Sequence, residues 1–306
     1  MRQGYEMTGT RRLTIVASGG LGDCLLASAF VRHFAQAGQY AGITCALPSY
    51  AAPLYHCSPR VTRLAACAGR DLWLWGLPEE HADVFVPYAR VTPDETAGDG
   101  LCVEHPYPLN QGAESAVRQV AVIHGLDIQD ESPEIFTSAA DELWADQAVR
   151  PFAGQKRVWI AYRTPLPEKQ YPLARWQQVV DALRTEAAVL ELDEGCSQLT
   201  GTHLISPMPG LRQSAALVRR CDCVVAIDSF AIHLAAAVST PAVALFGPTN
   251  PAVWGHPTTT CLRSSGCPVC ANTPRLRQCR RRSCLEDIPA NLVTEAVRRI
   301  LSGAEA

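Results

Sequence analysis

Hydrophobic residues along the chain fall into short apolar runs that alternate with amphipathic stretches. Runs of strand length occupy residues 13–17, 43–47, 84–88, 158–162, 188–192, 223–227 and 242–246, and another ends at Leu64. Between them the apolar spacing predicts helices over 22–37, 114–125, 174–186, 211–220 and 230–238. Strands that alternate with helices of this length predict parallel βαβ units.

The alternation stops at 89–113, where Pro, Gly and acidic residues predict an irregular loop, and it resumes after residue 150. A chain of 306 residues also exceeds the size of most single hydrophobic cores. We therefore predict an α/β protein of two Rossmann-like doubly wound domains, 1–150 and 151–306, facing a central cleft.

Composition and charge narrow the class of protein. Hydrophobic residues make up 47% and charged residues 19%, as in soluble globular proteins, and the net charge of -3 predicts no general attraction to nucleic acid. No apolar run is long enough to span a bilayer, and the N-terminus lacks the apolar region of a signal peptide. We expect a cytoplasmic protein.

Polar residues concentrate at two predicted strand ends in the second half. Asp228 ends the strand 223–227, Ser229 is placed to cap the next helix, and His233 lies one turn further on the same face. With the free N–H groups of a helix N-terminus, these side chains suit a phosphate or diphosphate, and Thr249 adds a hydroxyl at the neighbouring strand end. A capping serine and a packed histidine are the alternative interpretation.

Two further loops carry candidate residues. In "SGGLGD", Gly20 and Gly22 allow a sharp turn after the first strand, and Asp23 follows in the first helical turn. Asp23 is either a base for the reaction or simply an acid that favours a helix N-terminus. In "YRTPLPEKQYP", Lys169 either reaches an anionic ligand or is solvated.

The order of these motifs resembles glycosyltransferase family 9, the ADP-heptose–lipopolysaccharide heptosyltransferases. The resemblance rests on Gly-x-Gly-Asp, Lys-x-Tyr-Pro, Asp-Ser-x-x-x-His-Leu-Ala-Ala-Ala and Phe-Gly-Pro-Thr-Asn-Pro. It implies a GT-B fold, with the acceptor in the N-terminal domain and the nucleotide sugar in the C-terminal one. It also implies inverting transfer of a heptose or related sugar from an ADP-sugar to a hydroxyl of a lipopolysaccharide core, another glycan or a protein.

The resemblance also implies residue roles. Asp23 matches the catalytic base, and the positions that match donor-binding residues are Lys169, Glu194, Asp228, Ser229 and His233. Phe230 replaces a glycine usual in the family. No cofactor is implied for catalysis, and a glycolipid acceptor implies peripheral contact with the cytoplasmic face of the inner membrane.

A Cys-rich segment, 261–284, follows the donor motifs. Its four cysteines at metal-ligand spacing are Cys267, Cys270, Cys279 and Cys284. They predict a structural zinc or iron ion. Similar cysteines recur in the tails of some members of the family that the motifs resemble, and in relatives that glycosylate proteins they hold iron. Free thiols are the alternative, and a reducing compartment disfavours disulfides. Since the segment comes after the donor motifs, we expect it to be dispensable for catalysis in a folded chain.

The arginines of this Cys-rich segment form either a solvated loop or a patch for a phosphorylated glycolipid, the membrane face or another subunit. A terminal helix follows at 288–301.

Two other classes of protein compete with this hypothesis. One is a nucleotide-binding regulatory or nucleic-acid-binding module with a zinc-ribbon-like tail, against which the acidic net charge argues. The other is a dehydrogenase, disfavoured because GxGxxG is missing after the first strand. The sequence leaves the oligomeric state open.

Overall fold

The computed structural model describes residues 11–67, 82–87, 90–93, 101–104, 109–193, 195 and 197–304. The chain divides into two compact units: the first is Met1–Pro108 with Ala116–Phe136, and the second is Leu109–Ser115 with Thr137–Ala306. Contacts therefore group residues 137–150 with the second unit, whereas the sequence analysis placed them in the first domain.

The first unit is built on a parallel sheet. Its strands are β1 (Arg12–Val16), β2 (Gly42–Pro48), β3 (Arg63–Cys67) and β4 (Ala82–Phe85), in the order β3-β2-β1-β4. Its helices are α1 (Leu21–Leu26), α2 (Ser28–Ala37) and α3 (Ala116–Ile123). The single helix predicted at 22–37 is thus two helices. At the break, the hydroxyl of Ser28 donates to the carbonyl of Leu25 at 2.6 Å, as serines near helix termini do.

The predicted irregular loop contains regular structure. Strands β5 (Arg90–Pro93) and β6 (Leu101–Glu104) form a two-stranded antiparallel sheet, so the loop prediction is wrong for these residues. A strand of four residues places only two side chains on each face, which is too few for alternation to be recognised in the sequence.

The second unit contains a six-stranded parallel sheet in the order β12-β11-β10-β7-β8-β9. Its strands are β7 (Lys156–Ala161), β8 (Ala187–Leu192), β9 (His203–Ile205), β10 (Cys223–Ile227), β11 (Ala242–Leu245) and β12 (Thr259–Leu262). Every residue of β10 and β11 is buried, as expected for central strands covered on both faces. The outer strands β9 and β12 were not predicted, because they are short and only partly buried.

Eight α-helices of the described residues belong to the second unit. They are α4 (Ala139–Val149), α5 (Leu173–Leu183), α6 (Leu211–Val218), α7 (Phe230–Ala237), α8 (Pro251–Trp254), α9 (Pro274–Gln278), α10 (Ser283–Glu286) and α11 (Ala290–Leu301). Helix α4 packs against α6, and Arg220 pairs with both Glu142 and Asp146 of α4. These contacts explain why 137–150 belong to the second unit. The terminal helix α11 packs back on α5, as predicted.

Among the described residues, no helix combines the length and the apolar character that crossing a membrane requires.

The register of the central strands positions the candidate site. Ile227, the last residue of β10, is paired with Leu245, the last residue of β11, and the backbone N–H of Asp228 donates to the Leu245 carbonyl at 3.0 Å. The segments that follow these two strands therefore begin at the same edge of the sheet, where open parallel sheets bind their ligands.

Candidate active site

At this edge of the sheet, a buried carboxylate accepts hydrogen bonds from two residues predicted for the donor site. Asp228 is only 4% exposed, and its Oδ2 accepts hydrogen bonds from Nζ of Lys169 at 2.7 Å and from Oγ1 of Thr249 at 2.5 Å. Lys169 comes from the loop after β7 and Thr249 from the loop after β11. The structure thus brings Asp228 together with side chains that lie 59 and 21 residues away from it in sequence.

Ser229 occupies the N-cap position of α7, but its hydroxyl makes no capping hydrogen bond. The expectation that its side chain caps the helix is therefore wrong. The hydroxyl has no hydrogen-bond partner among the described residues, and the first N–H groups of α7 have no acceptor within the helix. This end of α7 retains several hydrogen-bond donors for an anionic group.

His233 is buried in the second turn of α7 and is paired with another histidine. Its Nδ1 lies 2.8 Å from Nε2 of His256, and the two rings meet edge to face. Burial lowers the pKa of His233 well below its usual value, and nearby His256 and Lys169 lower it further. Burial also lowers the pKa of His256 to about 4. Both rings are therefore neutral near pH 7.

Sequence reasoning missed His256. The only available signal was a second histidine five residues after the FGPTNP motif, in "WGHP". A histidine outside any predicted helix or strand does not indicate its own partner, so the pair is apparent only in the folded chain.

The predicted ribose ligand, Glu194, lies outside the described residues. The neighbouring acid on β8, Glu191, is buried and already fully engaged within the second unit. Its carboxylate accepts hydrogen bonds from Tyr162 at 2.9 Å, Arg163 at 3.0 Å, Ser197 at 2.7 Å and Thr202 at 3.0 Å. With four donors satisfied inside the unit, Glu191 has a structural role.

In the first unit, Asp23 lies in the first turn of α1 and closes a capping box. Its Oδ2 accepts a hydrogen bond from the N–H of Gly20 at 2.8 Å. Gly19 has φ of +99°, and a Cβ there would lie 2.6 Å from the same oxygen, so glycine is required beside this carboxylate. Gly22 lies within α1. The structural role expected for Asp23 is therefore real, and its role as a base stays a prediction.

A segment distant in sequence supports the FGPTNP motif. Asn250 caps α8 by accepting from the N–H of Ala252 at 3.0 Å, and its amide donates to the carbonyls of Asn110 and Gly112. Asn110 is buried and also accepts from Nε1 of Trp254 at 2.7 Å. These bonds attach residues 109–112, predicted as part of a loop, to the second unit and hold the residues that follow Thr249.

The Cys-rich segment packs directly on the candidate donor loops. The N–H groups of Cys270 and Ala271 both donate to the carbonyl of Pro248, at 2.9 and 3.0 Å. A Cβ at Gly247 would lie 2.9 Å from Cδ1 of buried Leu285, so α10 covers the backbone of the same loop. The segment therefore packs on the candidate donor loops although it follows them in sequence. Its expected dispensability for catalysis stays a prediction.

Four of the cysteines share one neighbourhood. A cavity of 410 Å³ is lined by Cys270, Cys279 and Cys284. Burial, together with the nearby thiols of Cys267, Cys270 and Cys279, raises the pKa of the Cys284 thiol to about 11. However, Sγ of Cys267 contacts the Ser283 hydroxyl at 2.9 Å and Sγ of Cys279 contacts the Arg281 carbonyl at 3.0 Å. No group of three or more His, Cys, Asp or Glu side chains is arranged to hold a metal ion in the part of the chain that the structure describes.

A protein-family model and a known protein that are similar to this chain are both described as heptosyltransferases. The family model described as glycosyltransferase family 9 (heptosyltransferase) matches residues 107–286. Lipooligosaccharide heptosyltransferase 2 of Haemophilus influenzae is 41% identical over 61 residues, which cover 20% of this chain and only 16% of that protein.

Two solved structures are similar over nearly the whole chain. The glycosyl transferase family 9 protein from Veillonella parvula has a TM-score of 0.73 at 16% identity and covers 99% of each chain. The iron-containing dodecameric glycosyltransferase TibC from enterotoxigenic E. coli has a TM-score of 0.66 at 16% identity and covers 98% of this chain and 78% of that one. At this identity the similarity shows the fold, which is the GT-B type predicted from the sequence. Because the family model also matches more than half of its residues, this chain belongs to glycosyltransferase family 9.

Proposed function

We propose that this protein transfers a heptose, or a related sugar, from an ADP-sugar to a hydroxyl of a lipopolysaccharide core, another glycan or a protein. The observation that carries the proposal is the arrangement at the ends of β10 and β11. There Lys169, the Ser229 hydroxyl and the start of α7 offer positive charge and hydrogen-bond donors around one buried carboxylate. Such donors suit a diphosphate.

The donor site would stabilise the leaving group electrostatically. As the bond between the anomeric carbon and the diphosphate breaks, negative charge grows on the diphosphate oxygens. The Lys169 ammonium, the N–H groups that begin α7 and the His233 ring would each interact with that charge. Asp228 would accept from a sugar hydroxyl, as the family resemblance implies. The Thr249 hydroxyl proton is already donated to Asp228, so Thr249 would act by orienting that carboxylate.

Asp23 would be the general base. It would take the proton of the acceptor hydroxyl while that oxygen attacks the anomeric carbon from the side opposite the departing diphosphate, which inverts the configuration. The hydrogen bond from Gly20 and the absence of a side chain at Gly19 fix the position of this carboxylate.

The decisive experiment is Asp23→Asn. We expect turnover to fall at least ~10²-fold while ADP binding changes by no more than about threefold, because general-base catalysis contributes on this scale. The matched control is Asp141→Asn, since Asp141 closes the same kind of capping box at the start of α4. Near-normal turnover in Asp23→Asn, or an equal loss in both variants, would remove Asp23 from the mechanism.

The nucleotide is tested separately. ADP-, GDP-, UDP- and CMP-sugars should be compared for protection against thermal unfolding, because a ligand that binds only the folded chain stabilises it in proportion to its affinity. We expect the ADP-sugar to protect most. Stronger protection by another nucleotide would contradict the proposed donor.

We further propose that Cys267, Cys270, Cys279 and Cys284 bind one structural zinc or iron ion. Two observations support this proposal: neighbouring thiols of this group contribute to raising the pKa of Cys270 and of Cys284, and the similar solved structure of TibC is described as iron-containing. Four thiolates are a suitable ligand set for either metal. Bound there, the ion would brace the segment that covers the loop of Gly247 and Pro248.

We also propose that the enzyme acts in the cytoplasm, at the inner membrane when its acceptor is a glycolipid. The ten cysteines whose side chains the structure describes are free thiols, which suits a reducing compartment. Arg275, Arg277 and Arg280 are exposed and would contact the phosphates of such an acceptor. Co-sedimentation with anionic vesicles tests this, and binding that is unchanged in the triple alanine variant would contradict it.

A further inference from the structure

The hydrogen bond between the two buried histidines can be made with either ring as the donor. Nδ1 of His233 and Nε2 of His256 are 2.8 Å apart, which is a hydrogen bond and requires one nitrogen to donate and the other to accept. Both rings are neutral near pH 7 because burial lowers their pKa values. Each neutral ring carries one N–H and one lone pair. Two arrangements are therefore available, and they differ in what His233 presents at its other nitrogen.

In the first arrangement, Nε2–H of His256 donates to Nδ1 of His233, and the proton of His233 is on its Nε2. In the second, Nδ1–H of His233 donates to His256, and Nε2 of His233 bears a lone pair. Nε2 of His233 has no hydrogen-bond partner among the described residues, although the residue is only 5% exposed. That nitrogen is the one available to a ligand.

A diphosphate ligand is compatible with only one of the two arrangements. Phosphate oxygens only accept hydrogen bonds, so a lone pair on Nε2 would repel a diphosphate, whereas an Nε2–H would bind it. A neutral His233 is thus useful at this site only in the first arrangement. The residue that enforces this arrangement is the one that donates to Nδ1.

We infer that His256 is a positioning residue: its Nε2–H donates to Nδ1 of His233, orients that ring, and holds its proton on Nε2 toward the donor diphosphate. This inference rests on the proposed function, because it takes the diphosphate as the ligand of His233. His256 itself would not touch the substrate. The arrangement parallels metal sites, where an outer hydrogen bond sets the tautomer of a ligating histidine.

The position of the proton can be measured without substrate. In protein labelled with ¹⁵N-histidine, the nitrogen chemical shifts distinguish a protonated ring nitrogen from one with a lone pair, and His233→Ala identifies the signals of His233. We expect Nε2 of His233 to be protonated and its Nδ1 to be an acceptor. A proton on Nδ1 of His233 would overturn the inference, whatever the enzyme's substrate.

Variants of His256 test the consequence for binding. The amide nitrogen of glutamine is as many bonds from Cα as Nε2 of histidine, so His256→Gln can restore the donor, whereas His256→Leu fills the space without one. We expect His256→Leu to bind ADP about tenfold more weakly, as when a buried polar atom loses its partner, and His256→Gln to stay within about threefold of the native chain. Titration calorimetry should give one site per chain in all three proteins.

The outcomes separate positioning from a purely structural role. Partial unfolding would lower the number of binding sites without changing the affinity of those that remain, and glutamine would not rescue it. Native affinity in His256→Leu, or no recovery in His256→Gln, would overturn the inference. If His233→Ala binds ADP as tightly as the native chain, the proposed diphosphate contact fails instead, and the measured tautomer still decides the hydrogen bond.

Discussion

Substitution of Asp228 by asparagine should strengthen ADP binding although it removes a residue of the proposed donor site. In the folded chain the Lys169 ammonium is held by the Asp228 carboxylate at 2.7 Å, with 20% and 4% of the two side chains exposed. A diphosphate must compete with that carboxylate for Lys169 and is also repelled by it. Asp228→Asn keeps the shape and the acceptor for Thr249 but removes the competing charge.

The expected size follows from the charges. Opposite unit charges about 4 Å apart attract by about 4 kcal/mol at an effective dielectric constant of 20, and charges near 2.7 Å by somewhat more. Most of this attraction is offset by the cost of removing both groups from water. We expect about 1 kcal/mol to remain as a gain for the incoming diphosphate, so that ADP binds about fivefold more tightly.

The same substitution should lower the stability of the free protein. Loss of a charged acceptor for Lys169 and Thr249 should cost about 2 kcal/mol, because hydrogen bonds to a buried charge are stronger than neutral ones. For a domain of this size, that cost lowers Tm by ~4 to 8 °C. Turnover should also fall, because the variant lacks the carboxylate proposed to hold the sugar.

The assay combines titration calorimetry with ADP, thermal unfolding and turnover. Asp146→Asn is the control, since Asp146 forms an equally short ion pair with Arg220 on the exposed side of α4. We expect its ADP affinity to be unchanged. If Asp228→Asn bound ADP as the native chain does, or more weakly, the idea that Asp228 competes for Lys169 would be refuted.

Three further predictions concern the second unit. Lys169→Ala and His233→Ala should each weaken ADP binding by ~1.5 to 3 kcal/mol, typical of charge-assisted contacts, and unchanged calorimetric affinity in both would move the donor site elsewhere. Elemental analysis should find about one metal per chain, and Cys270→Ser should lose that metal and melt at a lower temperature; metal-free native protein of full stability would contradict the structural metal. The free energy of unfolding should decrease as pH falls from 6.5 toward about 4, because unfolded His256 then binds a proton that the folded ring, with its lowered pKa, does not. His256→Gln should flatten this slope in denaturant titrations, and an unchanged slope would show that folding does not lower the pKa of His256.

Much of the fold follows from local patterns in the sequence. The buried strands β10 and β11 are continuous apolar runs, and α7 follows β10 with apolar residues all around it. Such runs, and the spacing of helical residues, depend only on neighbours within a few positions. The same is true of motifs at strand ends, so the sequence alone is enough to nominate Lys169, Asp228 and Thr249.

Elements with weak local signals were missed. Strands β5 and β6 have four residues each and β9 has three, too few to show alternation. At the break between α1 and α2 the Ser28 hydroxyl donates to the Leu25 carbonyl, a contact that the apolar spacing cannot reveal.

The amino-acid sequence by itself thus determined the family, the βαβ architecture and the residues placed at strand ends, because these are properties of short stretches. Only the tertiary structure decided which of those residues meet. In the folded chain His233 pairs with His256, and the Thr249 hydroxyl donates to Asp228. The Ser229 hydroxyl makes no capping hydrogen bond, and the cysteine segment packs on Pro248. The reason is physical: these partners are distant in sequence, and their contact depends on how buried surfaces pack, which no local pattern records.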